Sequence, residues 1–156
     1  MREILFRGKR TDNGEWVYGS YAIATHKYSY KQANEPHKSW IITRAHGNGG
    51  WFTTVVRFPV IDETVGQLTG MKDLNGTPIF EGDIVANHLD PKEPERETRG
   101  AILWDDKFHG WGYLEFGRAY QDELDDVSGI DGQWEVVDNI FDNAECYWKI
   151  ANKQTE

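Results

Sequence analysis

The dipeptide Asn75-Gly76, set between Met71-Lys72 and Ile79-Phe80, narrows what this chain can become more than any other feature. Asn-Gly flanked by β-forming residues is a strong hairpin signal, because both central residues of a type I′ turn need positive φ. Similar punctuation recurs. Thr11-Asp12-Asn13-Gly14 separates a short strand at residues 4–6 from a return strand at 16–23. Gly47-Asn48-Gly49-Gly50 separates residues 40–43 from 51–58, and Glu81-Gly82-Asp83 launches a strand over 84–87. Pro59 is expected to interrupt the run before it, since proline cannot donate to a ladder. Short β-forming runs joined by tight turns predict a mainly β fold.

Further along, residues 88–100 hold Pro91, Pro94 and mostly charged side chains, and read as an exposed loop. Strands are expected at 101–104, 111–116 and 134–137, with a turn at Asp105-Asp106. Residues 24–39 read as a polar loop or weak strand. One helix is expected over 119–127, with Leu124 and Val127 as its apolar contacts and Gly129 and Gly132 stopping it. A second short helix is expected over 144–150. The strand and turn pattern fits a small β-barrel, with an SH3-like core over residues 80–104, irregular loops and one or two short helices. Its 156 residues suit a single domain spanning 1–156.

Only 38% of the residues are hydrophobic, but seven Trp, seven Tyr and seven Phe are available to build a core. Aromatic side chains bury large areas and pack well on pleated surfaces. No apolar run resembles a signal peptide or a membrane span, so the chain is expected to be soluble and cytoplasmic, with no membrane partner. The lone cysteine, Cys146, cannot form an intrachain disulfide and reads as a small buried apolar group.

Charge is unevenly distributed. Of the formal net charge of −9, residues 115–145 hold ten acids and one base, a local −9. Residues 1–57 hold nine bases against four acids, a local +5. Such polarity steers partners or pairs subunits with one another, although a solvated acidic face would also keep a chain soluble.

Chemical constellations are scarce. The histidines, His26, His37, His46, His88 and His109, lie 9 to 42 residues apart, without the short spacing that marks a zinc site. Asp73-Leu74-Asn75-Gly76 starts like a calcium loop but has glycine fourth rather than sixth, so no metal is expected. Gly66, Gly70 and Gly76 match neither a phosphate-binding nor a dinucleotide pattern, and no cofactor is expected. Glu81/Asp83 and Asp105/Asp106 are paired carboxylates, but acids at such places usually form turns. The chain is therefore expected not to be an enzyme. Lys27, Tyr28, Tyr30, Lys31, Lys38 and Trp40 interleave bases with aromatics, as a single-strand nucleic-acid platform would. The acidic total disfavours that partner, because such binders gain affinity by neutralising phosphates.

Three blocks together carry a resemblance. They are residues 1–10 with Asn13-Gly14-Glu15-Trp16-Val17-Tyr18-Gly19, residues 63–85, and Trp134-Glu135-Val136-Val137-Asp138-Asn139-Ile140-Phe141-Asp142-Asn143. In this order they resemble the YopX family. Residues 24–58 and 106–132 lie outside the likeness. The resemblance implies a protein carried by phages and prophages, with a β-barrel-containing fold and self-association, and it supplies no catalytic residue. The reading is an accessory protein acting through contacts with its own copies or with host or phage proteins. The alternatives are an acidic nucleic-acid mimic that occupies a host DNA-binding protein, or a single-strand binder using the basic, aromatic N-terminal region.

Overall fold

The computed structural model describes residues 3–23, 39–46, 53–87, 97–117 and 124–143. In chain order its strands are β1 (Phe6–Lys9), β2 (Trp16–Ile23), β3 (Ser39–His46), β4 (Thr53–Val60), β5 (Gly66–Lys72), β6 (Pro78–Phe80), β7 (Asp83–Asn87), β8 (Thr98–Asp105), β9 (Gly110–Glu115), β10 (Asp125–Asp126) and β11 (Glu135–Asn139). Among the described residues, helix is confined to one 3-10 turn at Asp62–Thr64. The strands form two antiparallel sheets, ordered β4-β3-β2-β1-β5-β6 and β10-β9-β8-β7-β11. The mainly β expectation holds. The barrel does not, because neither sheet closes, and the SH3-like core expected over 80–104 is instead the end of β6 followed by β7 and β8 of an open sheet.

The chain divides into two compact units, Met1–Leu68 and Thr69–Glu156. In the first, β1 pairs with β2, β2 with β3, and β3 with β4 along all eight residues. The curled ribbon brings the end of β4 back to the end of β1 at one bridge, Arg10 to Val60. There the Ile61 N–H donates to Lys9 O at 2.9 Å and the Thr11 N–H to Pro59 O at 3.1 Å. One bridge is not a ladder, so the ribbon stays open. Curling requires close approach. A Cβ on Gly19 would stand 2.1 Å from the Ile42 carbonyl oxygen, and one on Gly8 would stand 3.0 Å from the Val60 Cβ. Ile41 and Val60 are fully enclosed in this unit, each worth about 1.5–3 kcal/mol of apolar burial. Pro59 does not end β4 as expected. It pairs opposite Trp40 on an edge strand, where a missing N–H is tolerated.

The second unit is built on the five-stranded sheet. Alternation along the central strands sends Val85, Ile102 and Tyr113 to one face, where they pack with Ile79 and Ile130. Ile84 and Ala101 go to the other face and meet Ile140. Both faces are therefore covered. The helix expected over 119–127 is overturned at its C-terminal end. Asp125 and Asp126 form β10 and pair with Tyr113 and Gly112 of β9. A Cβ on Gly112 would lie 2.4 Å from the Leu124 Cβ, so this glycine admits Leu124 flat against β9. Val127 still finds its apolar role, packed on the Ile102 cluster. Residues 119–123 and the helix expected over 144–150 lie outside the described residues.

Candidate functional site

Period-two alternation in the first unit separates a packed face from a solvent face. Ser39, Ile41 and Val60 point inward and are buried. Their neighbours point out. The ladders set Trp40 opposite Pro59, Ile42 opposite Arg57, and Arg44 opposite Val55, with Ser20 and Ala22 of β2 opposite Ile42 and Trp40. Tyr18 continues this row along β2. Tyr18 is 46% exposed, Val55 is 69% exposed, and Arg44 and Arg57 are exposed. The Arg57 guanidinium lies 5.7 Å from the centroid of the Trp40 ring. Nearby, Arg7 and Lys9 lie over Trp16 at 4.6 and 5.4 Å, and Arg10 lies over Phe58 at 4.5 Å. Contacts of this kind contribute about 0.5–1 kcal/mol each where exposed. They place cationic groups against aromatic rings, the buried Arg7 among them.

No residue of β1 to β4 is a carboxylate, whereas Arg7, Lys9, Arg44 and Arg57 all lie in these strands. Arg10, just after β1, is matched by Asp12 at 2.5 Å and Glu15 at 3.8 Å. The hydrogen bond from Arg10 first, and then its charge, hold the Asp12 carboxyl below its usual value. Residues 1–68 contain nine bases and six acids, a local +3. Residues 69–156 contain eight bases and twenty acids, a local −12. Net charge thus differs in sign between the two compact units.

Of the residues singled out from the sequence, Trp40 lies in β3 on the solvent face. Lys27, Tyr28, Tyr30, Lys31 and Lys38 lie outside the described residues. Tyr18, Arg44 and Arg57 were not singled out. The signal that finds them is alternation, Trp40-x-Ile42-x-Arg44 and Val55-x-Arg57-x-Pro59, which becomes meaningful once the strand register is known.

Of the carboxylate pairs read from sequence, Asp83 and Asp105 have turn roles. Asp83, 2% exposed, accepts the Phe80 N–H at 2.8 Å. Asp105 accepts the N–H groups of Lys107 and Phe108 at 2.8 and 3.1 Å. Asp73 accepts from Asn75 and Thr77 through Oδ1 at 2.8 and 2.7 Å, and from Val136 through Oδ2 at 3.3 Å. Burial pushes the Asp73 carboxyl up, but the N–H donors of Thr77, Val136 and Asn75 together outweigh it and hold the group below its usual value. Tyr113 packs edge-on against Trp134 at 5.0 Å, and burial, reinforced by Glu115 and Asp125, raises its hydroxyl pKa. Among the described residues, no three His, Cys, Asp or Glu side chains gather as a metal site. No helix there is long and apolar enough to cross a membrane.

A family model described as YopX protein matches residues 5–146. No curated protein matches the sequence. Among solved structures, the crystal structure of protein EF1440 from Enterococcus faecalis is similar, with a TM-score of 0.55 and 20% identity. The alignment covers 93% of this chain and 98% of that one, so the likeness is one of whole-chain fold.

Proposed function

Because the chain belongs to the YopX family, we propose that it is a phage or prophage accessory protein that works in the bacterial cytoplasm by protein contact rather than catalysis, as a homo-oligomer. One observation carries the reading: the charge of +3 on the first unit and −12 on the second. A chain with both signs on separate units is complementary to its own copies, and such complementarity favours closed symmetric assembly. The surface holding Trp40, Tyr18 and Val55 supplies apolar area that exposed ion pairs cannot replace, since each exposed pair contributes only about 0–1 kcal/mol.

The acidic second unit also supports another reading, a nucleic-acid mimic held for a host DNA-binding protein. The two diverge in solution. A homo-oligomer sediments faster as its own concentration rises. A mimic sediments as a single 18.0-kDa chain and shifts only when a basic DNA-binding protein is added.

A further inference from the structure

We propose that the solvent face of β2, β3 and β4, centred on Arg57 and Trp40, is the surface on which a second copy of this chain docks its acidic unit. The inference rests on the self-association proposed above and names the cationic half of that contact. Three observations converge on this face. The strands that form it contain no carboxylate, so an approaching acidic surface meets no like charge from them. Arg44 and Arg57 project from adjacent strands on the same side, with Arg57 laid over the Trp40 ring. Between and beside them, Val55 and Tyr18 expose apolar area to solvent. Cations around an apolar and aromatic centre have the composition of an interface rather than of an ordinary solvated sheet, since interfaces are enriched in Trp, Tyr and Arg.

The occupant follows from charge. Residues 69–156 carry a net −12, and exposed acids there include Asp106, Asp126, Asp131 and Asp142. A second copy brings that density at a concentration equal to that of the face itself. Arginine suits this contact better than lysine because its planar fork pairs carboxylates in a bidentate way while its flat surface stays stacked on an indole. The Arg57 guanidinium lies beside such a ring, 5.7 Å from the Trp40 centroid.

The test measures the self-dissociation constant by sedimentation equilibrium for the wild-type chain, Arg44→Glu, Arg57→Glu and Arg57→Lys. Both arginines are exposed, so circular dichroism should show all variants folded, with Val55→Glu as a further probe of the same face. Each Glu variant should weaken association by at least about tenfold, as expected for like charges brought face to face, while Arg57→Lys, which keeps the charge but loses the bidentate fork, should weaken it less than Arg57→Glu. A wild-type oligomer whose constant is unchanged in both Glu variants would overturn the docking face and leave self-association standing. A wild-type monomer would overturn both. Anisotropy with labelled oligodeoxythymidine covers the remaining occupant. Binding that both Glu variants abolish, with assembly intact, would assign the face to single-stranded nucleic acid and overturn the proposal.

Discussion

The carboxylate of Asp73, in the turn after β5, accepts the backbone N–H of Val136, 63 residues later in the chain, at 3.3 Å. The same side chain caps Asn75 and Thr77 within its own turn, and the Leu74 N–H donates to Trp134 O at 2.8 Å. One acid therefore shapes the β5–β6 hairpin and ties it to β11. Replacing it leaves three N–H groups without this acceptor. Asp73 is only 4% exposed, so water cannot readily substitute. Asp73→Ala should lower the unfolding free energy by at least about 2 kcal/mol, read from urea denaturation with an unchanged slope.

Acid should act through the same residue. The folded-state pKa of Asp73 lies below its ordinary value, which is about 3.9 in an unfolded chain. Its stabilising contribution is then fully present above that value and is lost as pH falls through it towards the lower folded pKa. Melting temperatures followed downward from neutral pH should show a steep fall in the wild-type chain and a shallower one in Asp73→Asn. Parallel curves would show that Asp73 carries no linked proton.

Glycine substitutions should separate conformational cost from steric cost. Gly76 has φ +83° and open space where a Cβ would sit, so Gly76→Ala should cost about 1 kcal/mol from the left-handed backbone alone. Gly82 has φ +82° and would place its Cβ 2.7 Å from the Phe141 ring. Gly82→Ala should therefore be clearly the more destabilising. Asn75→Ala should be the mildest, because the exposed Asn75 side chain donates to Glu135 through a long, exposed hydrogen bond of 3.3 Å. Thermal melts of the three variants check that order.

The turn at Asn75-Gly76 shows both the reach and the limit of the sequence reading. A hairpin was legible there and is present. The type I′ turn is not. Among the described residues His109 is the only non-glycine with positive φ, so Asn75 does not adopt the conformation that turn requires. Instead Asp73 and Thr77 flank a three-residue loop, with the Asp73 N–H donating to Thr77 O at 2.8 Å and Gly76 alone left-handed. The capping reach of Asp73, which lies two residues before the dipeptide, selects that loop. Leu124 and Val127 were legible as apolar contacts but not as parts of an extended segment, because the space left by Gly112 becomes visible only when β9 and β10 are paired. The solvent face of β2 to β4 was hidden for a related reason. Its residues alternate within strands and share a surface only through register.

If oppositely charged units of separate copies bring this chain together, as proposed, its mass in solution exceeds that of one chain. Static light scattering at micromolar concentration, in low and in high salt, tests it most directly. The mass should be an integral multiple of 18.0 kDa, at least twice it, at both salts. Assembly should be slower at high salt, because screening acts mainly on encounter while buried apolar contacts hold the complex. A mass of 18.0 kDa at every concentration and salt would show that the oppositely charged units do not bring copies together.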